Sequence, residues 1–134
     1  MKRLIALLFA ATLSTTALAA APADGETAAK PIYYTLTPAL VGNYGSGERL
    51  KYYKADVALR VATAEAQAKV EHHEPLIRNQ LILLFAEQTD ASLSSVEAKE
   101  TLRQEALKQV RDVLEQEEGT PLVDDLLFNN LIIQ

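Results

Sequence analysis

The chain has no cysteine, no tryptophan and only two histidines. Without cysteine there is no disulfide framework, no thiolate nucleophile and no sulfur-ligated metal site, so an exported form must be held by its core alone. An excess of positive charge is also missing. Thirteen Lys and Arg face eighteen Asp and Glu, a formal charge of −5. All the acidic residues follow Lys2 and Arg3, so loss of those two would leave −7. Charge of this sign gives no reason to seek nucleic acid or anionic lipid. Catalytic signatures are equally scarce. No Gly-x-Ser-x-Gly elbow surrounds any serine, and Gly42-Asn43-Tyr44-Gly45-Ser46-Gly47 lacks the Lys-Ser/Thr ending and following helix of a phosphate loop.

What is present is the balance of a folding chain, with 49 % hydrophobic and 23 % charged residues over 134 positions. That length holds one domain of about 100 residues around a single core once a leader is subtracted. The leader is read from three features in order. Met1-Lys2-Arg3 is basic, Leu4 to Leu13 is apolar, and Ala17-Leu18-Ala19 offers the small-x-small site of a signal peptidase, with Ala20 as the first mature residue. Leu4 to Ala23 carries no charge and has the length of a bilayer span, so an uncleaved anchor is the alternative; Ser14, Thr15 and Thr16 interrupt the run and favour cleavage. The expected organisation is a signal segment over 1–19, a flexible small and polar linker over 20–30, and one domain over 31–134.

Within that domain, Ile32 to Leu36 is β-branched and aromatic, fitting a strand that ends or kinks at Pro38. Gly42 to Gly47 reads as a hairpin turn. Tyr53, Ala55, Val57, Leu59 and Val61 alternate with Lys54, Asp56, Ala58, Arg60 and Ala62, the period of a long strand with one face on a core. Thr63 can cap a helix from Ala64 to about Val70. Pro75 suits the first turn of another running to about Gln88, in which Leu81 to Phe85 is assigned to helix by its flanks. Ser94-Ser95-Val96-Glu97 has capping-box spacing with Ser94 as the cap. Beyond it Leu102, Ala106, Val110 and Val113, widened by Leu107 and Leu114, form an apolar stripe, with Lys99, Arg103, Lys108, Arg111 and Glu115 solvated and Gly119 as the stop. Leu122 to Gln134 reads as a terminal strand. In strand-strand-helix-helix-strand order, this predicts an α+β fold, a small antiparallel sheet with helices on one face.

Candidate chemistry is thin. His72 and His73 are adjacent and point about 100° apart on a helix, so they cannot share a metal, and they are read as solvated between Glu71 and Glu74. Glu115-Gln116-Glu117-Glu118 and Asp124-Asp125 are read as solvated carboxylates, and Ser92, Ser94 and Ser95 as caps. Tyr33, Tyr34, Tyr44, Tyr52 and Tyr53 cluster near the first hairpin, where they either pack or face a partner. No catalytic, cofactor or metal residue is assigned, and protein contact outranks catalysis; a small periplasmic enzyme or ligand-binding protein would need a deep polar pocket.

Four stretches together resemble the C-terminal domain of the FliL family of flagellar basal-body-associated proteins. They are Tyr34-Thr35-Leu36-Thr37-Pro38 leading to Asn43, the Leu50 to Val61 strand, Glu74-Pro75-Leu76-Ile77-Arg78, and Leu127-Phe128-Asn129-Asn130-Leu131-Ile132-Ile133-Gln134. Val96 to Arg103 resembles the family's Gly-Lys-x-x-Leu-Arg segment, with Ala98 in place of the glycine. The resemblance covers Ile32 to Gln134. It implies a non-enzymatic periplasmic domain with a stomatin-like (SPFH) fold and no cofactor, which self-associates into a ring, contacts the stator protein MotB and other basal-body proteins, and supports motility. Family members usually keep a cytoplasmic tail and a membrane helix, whereas only three residues precede the apolar run here, so inner-membrane association depends on the fate of the leader. The alternative is a stomatin-like envelope scaffold or adaptor with no flagellar role.

Overall fold

The computed structural model describes residues 29–134. The leader over 1–19, its cleavage residues Ala17, Ala19 and Ala20, and the linker as far as residue 28 lie outside the described residues. The element order is β1 (Ile32–Thr35), β2 (Leu40–Tyr44), β3 (Lys51–Val61), α1 (Ala64–His72), α2 (Glu74–Ala86), α3 (Asp90–Ser94), α4 (Val96–Glu118) and β4 (Val123–Ile133). The architecture is α+β, with a small antiparallel sheet and its helices on one face.

The alternation in β3 sets the layers. Tyr53, Ala55, Val57, Leu59 and Val61 are all buried, and they join one core with Val70, Ile77, Leu81, Phe85, Leu102, Ala106, Val110 and Leu114 from the helices. β3 is the central strand. On one side it pairs with β1 through Ala58 to Val61 and with β2 through Lys51 to Ala55. On the other it pairs with β4 from Tyr53 to Val61, with register shifts at Asp56/Val57 and Arg60/Val61. β1 and β2 are thus one edge interrupted around Pro38, whose ring nitrogen cannot donate to a ladder. The Thr37–Pro38 peptide is cis, and Leu36 bridges the gap by donating its N–H to the Val57 carbonyl at 2.9 Å.

The order differs from strand-strand-helix-helix-strand in ways that trace to single residues. Gly42 and Asn43, expected in the hairpin turn, lie inside β2, and the reversal begins at Gly45, which has φ +83°. A strand accepts Gly42 because the Tyr53 ring occupies the space its side chain would need. The cap of α4 is Ser95, not Ser94: Ser95 has extended backbone (φ −120°, ψ 165°) and its Oγ accepts the Ala98 N–H at 3.0 Å. Ser94 instead closes α3, donating to the Ala91 carbonyl. The true capping box is Thr89 with Ser92 at the start of that unforeseen helix. Thr63 caps α1 through the Ala66 N–H, Pro75 sits in the first turn of α2, and Gly119 ends α4 at φ +75°, as expected.

Candidate interaction surfaces

Four surface clusters of polar side chains pin elements together. Tyr34 on β1 donates its hydroxyl to Glu74 at the start of α2, and Arg78 binds both Glu74 at 3.4 Å and the Pro38 carbonyl at 2.8 Å. Burial, then the hydrogen bond to Glu74 and its charge, push the Tyr34 hydroxyl up to about 12, so it stays a neutral donor. Lys51 binds Asp90, joining β3 to α3, and holds the Asp90 carboxyl below its ordinary value. These contacts give the Glu74-Pro75-Leu76-Ile77-Arg78 segment a structural use: it clamps the interrupted sheet edge to the helical layer.

The histidines divide. His72 is exposed, whereas His73 is not the solvated residue expected: its Nε2 lies 2.7 Å from Glu118, which also takes Lys69 at 3.0 Å. The bond from His73, then that from Lys69, lowers the Glu118 carboxyl below the usual range. Glu118 therefore ties the end of α4 to the α1–α2 junction, and is not merely a solvated member of an acidic run. No group of three His, Asp or Glu is placed to hold a metal among the described residues.

Arg103 also departs from expectation. It is not solvated but reaches over the free edge of β4, donating to Asp125 at 2.5 Å and to the Leu126 carbonyl at 3.0 Å while it holds Glu100 at 2.6 Å. Together with the Leu126 N–H bound to Asp125 Oδ1, this caps both outward backbone groups of Leu126. Unpaired edge groups invite other strands, so Arg103 guards that edge. Asp125 is accordingly a structural partner, while Asp124 is exposed.

Apolar side chains are also exposed. Of the five tyrosines, Tyr44 and Tyr53 are core, Tyr34 is half-buried, and Tyr33 and Tyr52 face solvent on the side of the sheet away from the helices. A shallow hollow of about 310 Å³ on that side is lined by Val41, Tyr52, Lys54 and Ile132. A second hollow, of about 350 Å³, lies between the start of α4 and β4, beside Val96, Lys99, Phe128 and Leu131. On α2, Leu76, Ile82 and Leu83 face outward. Sequence periodicity could not show these patches, because Ile82 and Leu83 sit in an unbroken apolar run.

The family model described as flagellar basal body-associated protein FliL matches residues 33–134, from β1 to the end of β4. The chain belongs to the FliL family. It is 29 % identical over 103 residues to the flagellar protein FliL of Aquifex aeolicus (strain VF5). That alignment covers 77 % of this chain and 62 % of the relative, so this FliL-family chain matches less than two thirds of that protein's length. No helix among the described residues is long and apolar enough to cross a membrane.

Proposed function

We propose that this FliL-family protein is a non-enzymatic accessory of the flagellar motor, working in the periplasm at the basal body and supporting motility through protein contacts. The observation that carries the reading is the family match across every element of the described domain. It is supported by the surface itself, where several polar clusters tie elements together and apolar side chains such as Val41, Leu76 and Leu83 are exposed. The same reading takes 31–134 as one stomatin-like domain and 20–30 as a tether. The leader over 1–19 is processed at Ala17-Leu18-Ala19 before Ala20; if retained, it anchors the domain to the inner membrane. Its partners are the stator, through a MotB-like protein, other basal-body proteins, and further copies of itself in a ring. A scaffold without a flagellar role accords less well with the family match.

Deletion of the chain, scored by swimming and by swarming on stiff agar, tests this. Impaired motility with normal growth is expected, above all under load. Unchanged motility in every condition would overturn it. Mass spectrometry of the mature protein should find a start at Ala20; a retained Met1 would replace cleavage with anchoring.

A further inference from the structure

We infer that the uncovered edge of β4 takes up an extended segment of a partner protein as an added strand, with an apolar side chain of that segment in the hollow beside the start of α4 and a carboxylate of it on Lys99. The inference goes beyond the flagellar reading and stands without it.

Among the described residues β4 pairs with β3 alone, which leaves its other edge free. In an antiparallel ladder, opposite residues exchange both backbone hydrogen bonds or neither, in alternation. Tyr52 and Gln134 exchange both, at 2.8 and 2.9 Å. Counting back along the register, Ile133 opposite Tyr53 and Leu131 opposite Ala55 are pairs that exchange neither, so their N–H and C=O groups face away from β3. The register shift at Asp56/Val57 inserts Asn129, after which Phe128 lies opposite Val57, whose carbonyl is turned the other way to accept the Leu36 N–H. Phe128 therefore faces outward too, as does Leu126 two residues away. The outward groups of Leu126 are taken by Arg103 and Asp125. Among the described residues, those of Phe128, Leu131 and Ile133 have no partner.

An edge that a protein keeps closed carries charge, proline or a covering segment. Phe128-Asn129-Asn130-Leu131-Ile132-Ile133 has no charged residue and no proline, and the Arg103 guard acts at Leu126 alone. A chain that satisfies these outward groups must itself be extended, because only a strand offers donors and acceptors in matching order. Phe128 to Ile133 spans roughly 20 Å, which about six residues of a partner would cover.

Side chains beside the edge set the composition of that partner. The hollow of about 350 Å³ lies along β4 between Val96, Leu127, Phe128 and Leu131. Val96 is 79 % exposed, so a side chain that an added strand turns towards α4 meets an apolar wall, and alternate residues of the strand turn the same way. Of the charged residues lining the hollow, Glu100 and Arg103 hold each other and Arg103 also holds Asp125, whereas Lys99 has no ion pair among the described residues. An uncommitted cation beside an apolar surface selects a carboxylate in the incoming segment. A second copy offering its own β4 edge would not supply one, because Leu127 to Ile133 holds no acidic side chain. The occupant is thus an extended stretch of another protein, apolar at alternate positions and carrying an aspartate or glutamate.

Fluorescence anisotropy on the full chain tests this with labelled, end-blocked peptides of about seven residues that alternate valine with threonine and carry one glutamate, placed at each position in turn. At least one should bind saturably. Methylating the amide nitrogens along one edge of that peptide should abolish binding, and methylating those along its other edge should spare it, which a merely apolar contact would not show. Val96→Asp and Lys99→Glu should each weaken binding by about tenfold or more, and Lys99→Glu should shift preference to a peptide with lysine in place of the glutamate. Leu131→Pro removes one outward N–H at an edge, where a strand tolerates proline, and should weaken binding as well. Circular dichroism checks that each variant folds, and the exposure of Val96 keeps the test in force if Leu131→Pro does not. No binding by any peptide, equal binding by both methylated forms, or binding indifferent to both Val96→Asp and Lys99→Glu would each overturn the proposal. If no peptide binds and Val96→Asp instead abolishes self-association in sedimentation velocity, the edge belongs to a second copy and the proposal fails. Peptide binding and motility on deletion are separate readouts: failure of the first leaves the flagellar reading standing, and unchanged motility leaves the edge standing.

Discussion

Replacing Gly42 with alanine should destabilise the domain although the position is an ordinary strand residue with no left-handed backbone. A Cβ there would lie 2.8 Å from the Tyr53 hydroxyl oxygen, 2.9 Å from Cε1 and 3.0 Å from Cζ, all well inside the separation at which such atoms attract. The ring cannot step aside. Tyr53 is 2 % exposed and stacks on Phe85 with centroids 4.4 Å apart and planes 15° apart, and Phe85 in turn meets Phe128 at 5.8 Å. Forcing a methyl group into such packing costs about 1–3 kcal/mol. Alanine's smaller loss of backbone freedom on folding returns about 0.5–1 kcal/mol. The net expectation is a loss of about 1–2 kcal/mol, read from urea denaturation of the full chain. Tyr53→Phe probes the same contact from its other side. The Tyr53 hydroxyl is buried with no hydrogen-bond partner, so its removal should be neutral or stabilise by up to about 1 kcal/mol. In the Gly42→Ala background it also removes the nearest colliding atom, so the double variant should recover about 0.5–1 kcal/mol more than additivity gives. A Gly42→Ala protein as stable as the parent would refute the argument that the ring fills the glycine's space. So would a Tyr53→Phe variant that loses more than about 1 kcal/mol, because the hydroxyl would then have a partner.

Ser95→Ala should cost about 1 kcal/mol through loss of the α4 cap, and Ser94→Ala clearly less; equal effects in thermal melts would return the cap to Ser94. Gly119→Ala should cost about 1 kcal/mol, because at φ +75° a side chain is strained even with open space around it. The Glu100 carboxyl is depressed to about 2, first by its hydrogen bond to Arg103 and then by that to Gln104. A depressed carboxyl stabilises the fold above its unfolded value and loses that contribution as pH falls, here from about 4.5 towards 2. Asp90 and Glu118, held low by Lys51 and by His73 with Lys69, act in the same direction. The protein should therefore lose stability on acidification across that window, and Glu100→Gln should make the acid limb shallower; an unchanged limb would show that the Arg103 contact does not persist in solution.

The parts of this fold legible in the sequence are those in which one residue type has one physical use. The alternation from Tyr53 to Val61 could be read because the sheet has a single covered face, and the Thr63, Pro75 and Gly119 signals because capping and left-handed turns admit few residues. β2 was obscured because Gly42 and Asn43 ordinarily mark reversals, and only the tertiary fact that Tyr53 lies over Gly42 makes the glycine a strand residue. α3 was missed because a helix of five residues has no period to detect. The shift from Ser94 to Ser95 is a choice between adjacent hydroxyls that local spacing does not resolve. Arg103, His73 and Glu118 read as solvated because the partners that tie them across the fold lie 22 to 49 positions away in the chain.

The surfaces argue differently from the core, because an exposed apolar residue leaves no mark in a periodic pattern. Ile82 and Leu83 continue the run that begins at Leu81, yet Leu81 is fully buried and they are not. A helix needing only a core would carry polar residues there, as α4 does with Lys108, Arg111 and Glu115 opposite Ala106, Val110 and Leu114. Beyond its first residue, Val96, α4 is amphipathic, so the apolar outer face of α2 is not a general laxity of composition. The same contrast holds within the sheet: Lys54 and Arg60 keep the outer side of β3 polar, while Val41 and Ile132 beside Lys54 do not. In both layers exposed apolar side chains gather into patches, Leu76, Ile82 and Leu83 on α2 and Val41, Tyr52 and Ile132 on the sheet, which is the arrangement a recognition surface requires and a monomer in isolation does not.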